Sequence, residues 1–212
     1  MMPLSPDLVR ALYRSMGVRH QVAVEDKRTS PVMRGAADLL ARAGIQTREQ
    51  FARYTTTLGT TIYAPFTPGE PTPGYDLAHQ VVILAHELTH VEQFRRSGAD
   101  FLAGYAMAPS ARALYESEAY RAGETVRQFL GHPPTGPDAL ASHLGAYGVT
   151  EADIAVSRAF HASSLASLAD GATMDPCAAD VMAFVADYGE IIEPPPRPVD
   201  IVSPAPAKAI NS

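Results

Sequence analysis

This 212-residue chain has a single cysteine and no long apolar run. One thiol, Cys177, excludes an internal disulfide framework and a cysteine-based zinc finger, and we expect it to be a small buried side chain. No apolar run approaches the roughly 18–20 residues that a membrane-spanning helix needs. The first residues show no cationic segment followed by an apolar one, so we expect no signal peptide. Synthesis in the cytoplasm is the default expectation, with specialised export left open.

Positive charge is also scarce. Lysine and arginine number 17 against 23 acidic residues, which gives a net charge of −6. Neither nucleic-acid phosphates nor anionic lipid headgroups attract a net acidic protein, so we expect no nucleic acid and no membrane as partners. The 46% hydrophobic and 19% charged residues are typical of a folded globular protein. The length is that of one domain, which we assign to residues 1–192.

Frequent proline, glycine and capping residues divide the chain into predicted helices. Residues 55–66, TTTLGTTIYAPF, are rich in β-branched and aromatic side chains and predict two short strands or one bent strand. Six prolines after Glu193 predict an extended tail over residues 193–212. The chain is therefore predicted to be mainly α with a small β element. Its predicted helices lie near 6–16, 31–43, 48–54, 76–97, 109–130, 137–146, 150–169 and 176–189.

The most informative segment is VVILAHELTHVE, residues 81–92, in which an apolar run is followed by two histidines and a glutamate. Residues four apart on a helix lie about 40° apart around its axis, so His86 and His90 can direct ring nitrogens at one metal ion. Glu87 lies on the flank of that pair. The alternative interpretation is two surface histidines on an amphipathic helix.

The residue types in this pattern favour zinc. Neutral imidazole suits zinc, and two histidines with one carboxylate leave a fourth coordination position for water. Zinc lowers the pKa of such a water to about 7, and Glu87 is placed to accept its proton during attack on a carbonyl group. The pattern therefore predicts Zn2+ as the cofactor, His86 and His90 as ligands, and Glu87 as the general base. A third ligand is required from elsewhere in the chain.

A second motif, YESEAYRAGE at residues 115–124, lies on the predicted helix after Pro109. HELTHVEQ followed by this segment resembles the gluzincin group of zinc metallopeptidases, and especially small bacterial and phage-associated members with HExxH-x-x-Q. In that group a glutamate on a later helix completes the metal site. The resemblance covers about residues 60–127 and implies a zincin-like domain with its motif core near 55–130.

The resemblance also assigns individual residues. The group's third ligand commonly begins an E-x-x-A-D or E-x-x-S-D motif, and Glu116 matches that ligand position. Ala119 matches the small residue of the motif. Tyr120 stands where the group usually has an aspartate, which supports a ligating histidine through its second ring nitrogen. The resemblance therefore implies Glu116 as the third metal ligand.

Helical periodicity favours a different glutamate. Glu118 shares its face with the more apolar residues of this helix, namely Ala111, Leu114, Ala122, Thr125 and Phe129. Glu116 shares its face with more polar residues, although Ala119 and Gly123 on that side would let another helix approach closely. We favour Glu116 on the motif and keep Glu118 as the alternative. Two solvated glutamates are the third possibility.

Other polar residues near the motifs allow two interpretations each. His79 and Gln93 lie seven residues before and after His86, where each either supports the site or, as we expect, lies at the boundary of burial. Tyr63 either assists an oxyanion or, as we expect, packs within its strand. The remaining histidines lack partners at ligand spacing and are expected to be ordinary surface or core residues: His20, His132, His143 and His161.

Motif and resemblance together indicate a zinc-dependent peptidase with a peptide or protein as substrate. An edge strand near Thr60–Tyr63 would align the substrate by backbone pairing. The alternative is a non-catalytic zinc-binding protein that acts as a structural or interaction component. An extended proline-rich tail favours this alternative, because it can lie in a strand-lined groove and close the cleft to substrate. A self-processing component of a phage or secretion system is a third hypothesis.

Overall fold

The computed structural model describes residues 4–42, 47–172 and 175–192. These residues form helices and one small sheet, which confirms the predicted mainly α fold with a small β element. The predicted tail, residues 193–212, lies outside the described residues. The elements are α1 (Pro6–Arg19), β1 (Ala23–Asp26), α2 (Pro31–Arg42), α3 (Arg48–Arg53), β2 (Thr56–Leu58), β3 (Thr61–Ala64), α4 (Leu77–Ser97), α5 (Ala99–Met107), α6 (Pro109–Phe129), α7 (Pro137–His143), a 3₁₀ turn (Leu144–Tyr147), α8 (Glu151–Ala169) and α9 (Pro176–Ile192).

Capping side chains explain where three helices begin. Ser5 and Asp76 each accept a hydrogen bond from the backbone N–H three residues further on, at the starts of α1 and α4. Thr150 and Asp153 form a reciprocal capping box at the start of α8. Each cap satisfies an N–H group that a helix end otherwise leaves unpaired. The sequence predicts these starts correctly.

Helix α1 runs to Arg19, past the end at Met16 that the sequence predicts. Glycine in a helix interior costs roughly 1 kcal/mol, but it does not by itself end the helix. A Cβ atom at Gly17 would lie 3.2 Å from the carbonyl oxygen of Val22. The Val22 N–H donates to the Gly17 carbonyl oxygen at 2.9 Å. Gly17 therefore permits the close return of the chain that leads into β1.

The sheet has the strand order β1-β3-β2. Strand β1 pairs with β3 in parallel, with Val24 opposite Ile62, and β2 pairs with β3 in antiparallel, with Thr57 also opposite Ile62. Strands β2 and β3 are the two short strands that the sequence predicts over 55–66. Strand β1 is not predicted, because its sequence AVED offers one strand-favouring residue, Val24, followed by two acidic ones.

The prediction of an edge strand near Thr60–Tyr63 is wrong. Residues 61–64 form the central strand β3, whose backbone pairs on both sides. A central strand has no free backbone groups with which a peptide could pair. Strand β2 is an edge strand instead, and it contacts α4. Tyr63 is buried against Met33 and Phe51. This position agrees with the expectation that it packs within its strand.

Helix α4 lies at the centre of the core. It contacts α1, α5, α6, α9 and β2, so its apolar half VVILA is enclosed on several sides. Cys177 at the start of α9 is also buried there, and burial raises the pKa of its thiol to about 12. Core side chains with at most 2% exposure include Leu12, Ile62, Leu84, Leu88, Val126 and Val181. The polar half of α4 is thereby fixed at the edge of this core.

Helix α5 is not predicted from the sequence. It follows α4 directly after Gly98, whose φ of 55° lies in the left-handed region, and it has no side-chain cap at its start. Phe101 is the buried residue of this nine-residue helix. Because one buried side chain gives the segment ADFLAGYAM only a weak amphipathic pattern, the sequence does not indicate a helix there. The helix nevertheless brings the rings of Phe101 and Tyr105 within 6.3 and 6.2 Å of the His90 ring centroid.

Candidate metal centre

The candidate site lies where α4 and α6 pack side by side. Ala119 of α6 is fully buried at this contact. A Cβ atom at Gly123 would lie 3.3 Å from Val82 Cγ1 and 4.0 Å from the His86 Cβ. Small side chains on α6 therefore allow a close approach of the two helices. Such an approach brings a glutamate of α6 within reach of histidines on α4.

Three buried side chains meet at this contact: His86 and His90 of α4 and Glu116 of α6. We call them the ligand triad. The two Nε2 atoms of His86 and His90 are 3.2 Å apart. Glu116 Oε2 lies 3.5 Å from His86 Nε2, and Glu116 Oε1 lies 3.5 Å from His90 Nε2. The triad is thus a group of three potential ligand atoms that could hold one metal ion.

The spacing of the two histidine nitrogens fits a tetrahedral centre. Ligands held about 2.0–2.1 Å from a zinc ion in a tetrahedron lie about 3.3 Å from one another. The two Nε2 atoms, 3.2 Å apart, are close to that value, and each lies 3.5 Å from a different oxygen of Glu116. Two nitrogens and one carboxylate oxygen are also a donor set that zinc accepts. The residues therefore fit a zinc ion, and the same donors suit other first-row divalent metals.

Glu116 and the two histidines shift one another's pKa in the direction that favours opposite charges at the triad. Burial alone would raise the pKa of Glu116, but the adjacent His90 and His86 outweigh burial and lower it. Burial alone would also lower the pKa of His90, but the Glu116 carboxylate outweighs it and raises the pKa of His90 to about 9. A metal cation binds the deprotonated ring and so competes with that proton.

One oxygen of Glu116 also fits the binding of a cation. Glu116 is 1% exposed, and its Oε2 atom has no hydrogen-bond partner among the described residues. The other oxygen, Oε1, accepts a hydrogen bond of 2.5 Å from the hydroxyl of Tyr105. Buried carboxylate oxygens are normally hydrogen-bonded or bound to a metal. An ion held by the triad would satisfy Oε2.

Glu87 lies beside the triad but points to a different partner. It is 4% exposed, and its Oε2 atom accepts a hydrogen bond of 2.6 Å from Thr57 Oγ1 on strand β2. Glu87 is not part of the group that could hold a metal. The edge strand thus holds the Glu87 carboxylate, which belongs to the residue next to His86, outside the group that could bind a metal.

Glu118, the alternative ligand, faces away from the triad. Its Oε2 atom accepts a hydrogen bond of 2.9 Å from Gln93 Nε2 and lies 3.5 Å from Arg96 Nη2. The apolar stripe that favours it in the sequence is only partly buried, because Leu114 on that stripe is 51% exposed although Ala122 and Thr125 are buried. The residues of α6 that are buried outside the stripe include Glu116 itself and the small residues Ala113, Ala119 and Gly123.

Gln93 lies closer to the site than the sequence indicates. It is 2% exposed, and its Oε1 atom is 2.8 Å from His90 Nδ1. The expectation of a residue at a burial boundary is therefore wrong for Gln93. His79 is exposed, with its ring 5.2 Å from that of Tyr75, so it does not contact the triad ligands as Gln93 does.

Tyr120, which stands where the gluzincin group has an aspartate, contacts the triad through its ring. Its ring centroid lies 5.0 Å from that of His86, with an angle of 69° between the planes. Burial raises the pKa of its hydroxyl, which forms a hydrogen bond with Tyr147. Tyr120 therefore packs against a ligand ring.

The sequence does not predict three residues that contact Glu87, Glu116 and Tyr120, respectively: Thr57, Tyr105 and Tyr147. None of them belongs to a motif or to the helix that carries the histidines, so only the fold brings them there. The other histidines lie outside the triad. His20 has Nε2 3.1 Å from Asp180 Oδ2, and His161 is buried with its pKa lowered to about 4 by burial.

A comparison of this chain with protein-family models, curated proteins and solved structures finds no match. No helix within the described ranges has both the length and the apolar character needed to cross a lipid bilayer. The class of site that the structure defines is therefore a buried His-His-Glu group on a mainly helical fold, able to hold a metal ion.

Proposed function

We propose that this protein is a zinc-dependent peptidase of the gluzincin type, with His86, His90 and Glu116 as the metal ligands. The observation that carries the proposal is the close approach of two histidine nitrogens, 3.2 Å apart, to the Glu116 carboxylate, together with a separate carboxylate on the adjacent residue of α4. When bound, zinc would polarise a carbonyl group and increase the acidity of a water molecule.

Glu87 supplies the proton transfers in this proposal. Its carboxylate accepts a proton from water as the water oxygen attacks the carbonyl carbon of the peptide bond. It then donates that proton to the amide nitrogen, so that the C–N bond breaks and a neutral amine leaves. The hydrogen bond from Thr57 to Oε2 holds the carboxylate in place for this exchange.

Strand β2 provides a surface on which a peptide could align. It holds an edge position in the sheet and contacts α4, so an extended substrate paired with it would pass close to Glu87. Tyr54, two residues before this strand, and Leu58, its last residue, are 50% and 44% exposed. They favour apolar side chains on either side of the cleaved bond.

One observation favours a second function. The triad residues and Glu87 are all at most 7% exposed, which suits a metal ion with a purely structural role. A structural zinc usually has four protein ligands, however, and the described residues supply three. In this second proposal the protein binds zinc without catalysis and acts as a structural or interaction component.

The substitution Glu87→Gln separates the two functions. Glutamine has nearly the same shape but cannot accept the proton of water, so zinc binding and the fold should persist while peptide hydrolysis is lost. The assay is cleavage of a mixed peptide library by the zinc-loaded protein, followed by mass spectrometry. Glu92→Gln, which changes an exposed glutamate on the same helix, is the matched control and should cleave like the wild type.

Two results would count against the catalytic proposal. Cleavage by Glu87→Gln within about tenfold of the wild type would show that Glu87 is not the base. A wild-type protein that holds zinc and cleaves no peptide in the library would favour the non-catalytic function.

A further inference from the structure

We infer that Gln93 is a positioning residue that sets the ring tautomer of His90 for metal binding, and that Glu118 holds Gln93 in the required orientation. This inference rests on the proposed metal site. Neither Gln93 nor Glu118 belongs to the ligand triad. Glu118 is the glutamate that the sequence offers as an alternative third ligand. We call the hydrogen-bonded series Glu118–Gln93–His90 the relay.

The first step concerns the side-chain amide of Gln93. An amide can be turned over, and its orientation must be assigned from its partners. Its nitrogen, Nε2, lies 3.0 Å from the carbonyl oxygen of Tyr115 and 2.9 Å from Glu118 Oε2. Both partners can only accept a hydrogen bond. The donating NH2 group must therefore face α6, which directs the carbonyl oxygen Oε1 towards His90.

The second step concerns the His90 ring. Gln93 Oε1 can only accept, so the His90 Nδ1 atom at 2.8 Å must carry a proton. In a neutral imidazole the other nitrogen, Nε2, then bears the lone pair. Nε2 is the atom that lies 3.2 Å from His86 Nε2 and 3.5 Å from Glu116 Oε1. The relay thus presents a lone pair at the centre of the triad.

The third step concerns the carboxylate at the outer end. If Gln93 turned over, its NH2 group would face His90 Nδ1 and stabilise the opposite tautomer, with a proton on Nε2. That proton would block the metal. The Glu118 carboxylate disfavours this state, because a turned amide would place two acceptor oxygens against each other. Arg96, with Nη2 3.5 Å from Glu118 Oε2, partly offsets the negative charge of Glu118 at the surface.

The test compares two leucine substitutions on the same helix. Gln93→Leu removes the acceptor for His90, and the zinc affinity of the full-length protein should fall by about 10–100-fold, the usual effect of losing a hydrogen bond to a metal-binding histidine. Gln80→Leu is the matched control, because Gln80 is also fully buried and hydrogen-bonded but contacts Gly69, Glu70 and Tyr75 instead. It should destabilise the fold while leaving zinc affinity within about threefold of the wild type.

A second measurement reads the tautomer directly. NMR of uniformly 15N-labelled protein should show a proton on His90 Nδ1 that exchanges slowly with solvent, both without metal and with zinc. This proton should be lost or exchange rapidly in Gln93→Leu and remain in Gln80→Leu. The readout in metal-free protein does not depend on zinc binding. A wild-type protein that binds no zinc would therefore overturn the proposed function. The NMR measurement on metal-free protein would still show whether Gln93 sets the tautomer of His90.

The affinity and the NMR readout together decide the inference. It is supported if Gln93→Leu loses both zinc affinity and the protected Nδ1 proton while Gln80→Leu keeps both. It is overturned if Gln93→Leu binds zinc like the wild type and keeps the protected proton.

Discussion

The structure makes its most specific prediction about the third metal ligand, because two glutamates of the same helix are candidates for that position. Glu116 and Glu118 are two residues apart and therefore about 200° apart around α6, so both cannot face one ion. Glu116 lies 3.5 Å from each histidine Nε2 and is 1% exposed. Glu118 has a side chain that is 26% exposed and contacts Gln93 and Arg96. We expect alanine substitutions at these two positions to differ strongly in zinc affinity.

The magnitudes follow from what each substitution removes. Loss of a residue that only supports a ligand costs about 10–100-fold in metal affinity. Glu116→Ala removes a ligand atom and leaves two histidines, so its cost should exceed about 100-fold, or about 2.7 kcal/mol. After Glu118→Ala, Gln93 still donates to the Tyr115 carbonyl oxygen. That substitution should therefore weaken zinc binding by less than about tenfold.

The assay is competition for zinc against a chromophoric chelator of known affinity. Circular dichroism of each metal-free variant shows that the comparison is between folded proteins. Glu116→Gln serves as a companion to Glu116→Ala, because it keeps an oxygen for the Tyr105 hydroxyl and so preserves local packing. If Glu118→Ala lost zinc while Glu116→Ala and Glu116→Gln kept it, the position of the ligand assigned here would be refuted.

Two further predictions concern single hydroxyl groups. Thr57→Val keeps the shape of the side chain but removes the donor to Glu87, so zinc content should be unchanged and kcat/KM for a cleaved peptide about tenfold lower; an unchanged kcat/KM would contradict the role of Thr57. The Tyr13 hydroxyl is buried and donates to the Gln80 carbonyl oxygen, and burial followed by the charge of Glu87 raises its pKa well above 10 in the folded protein. Its stabilising contribution is therefore fully present below about pH 10 and is lost above it, at up to about 1.4 kcal/mol per pH unit. Urea unfolding of wild type and Tyr13→Phe at pH 9 and 11 measures this loss, and an equal pH dependence of both proteins would contradict it.

The parts of the fold that the sequence predicts correctly depend on local chemistry. Capping side chains at Ser5, Asp76 and Thr150 act within one helical turn, so their effect can be read from neighbouring residues. The spacing of His86 and His90 is likewise a property of one helix. These features need no knowledge of how distant segments pack.

The features that the sequence misses depend on packing between distant segments. Strand β3 occupies the centre of the sheet only because β1, 35 or more residues earlier, pairs along its other side. The choice between the two glutamates of α6 follows from close contact with α4, which favours small residues such as Ala119 and Gly123 over large apolar ones. The apolar stripe points to Glu118 because Leu114 counts toward it in the sequence, yet Leu114 is 51% exposed in the fold.

The central claim is that His86, His90 and Glu116 bind one zinc ion. The most direct measurement is the metal content of the full-length protein, purified without chelator and analysed by inductively coupled plasma mass spectrometry. We expect about one zinc per chain in the wild type and almost none in His86→Ala or His90→Ala, because two remaining ligands rarely hold zinc. A folded wild-type protein that contains no stoichiometric metal, and takes up none on dialysis against zinc, would contradict the claim.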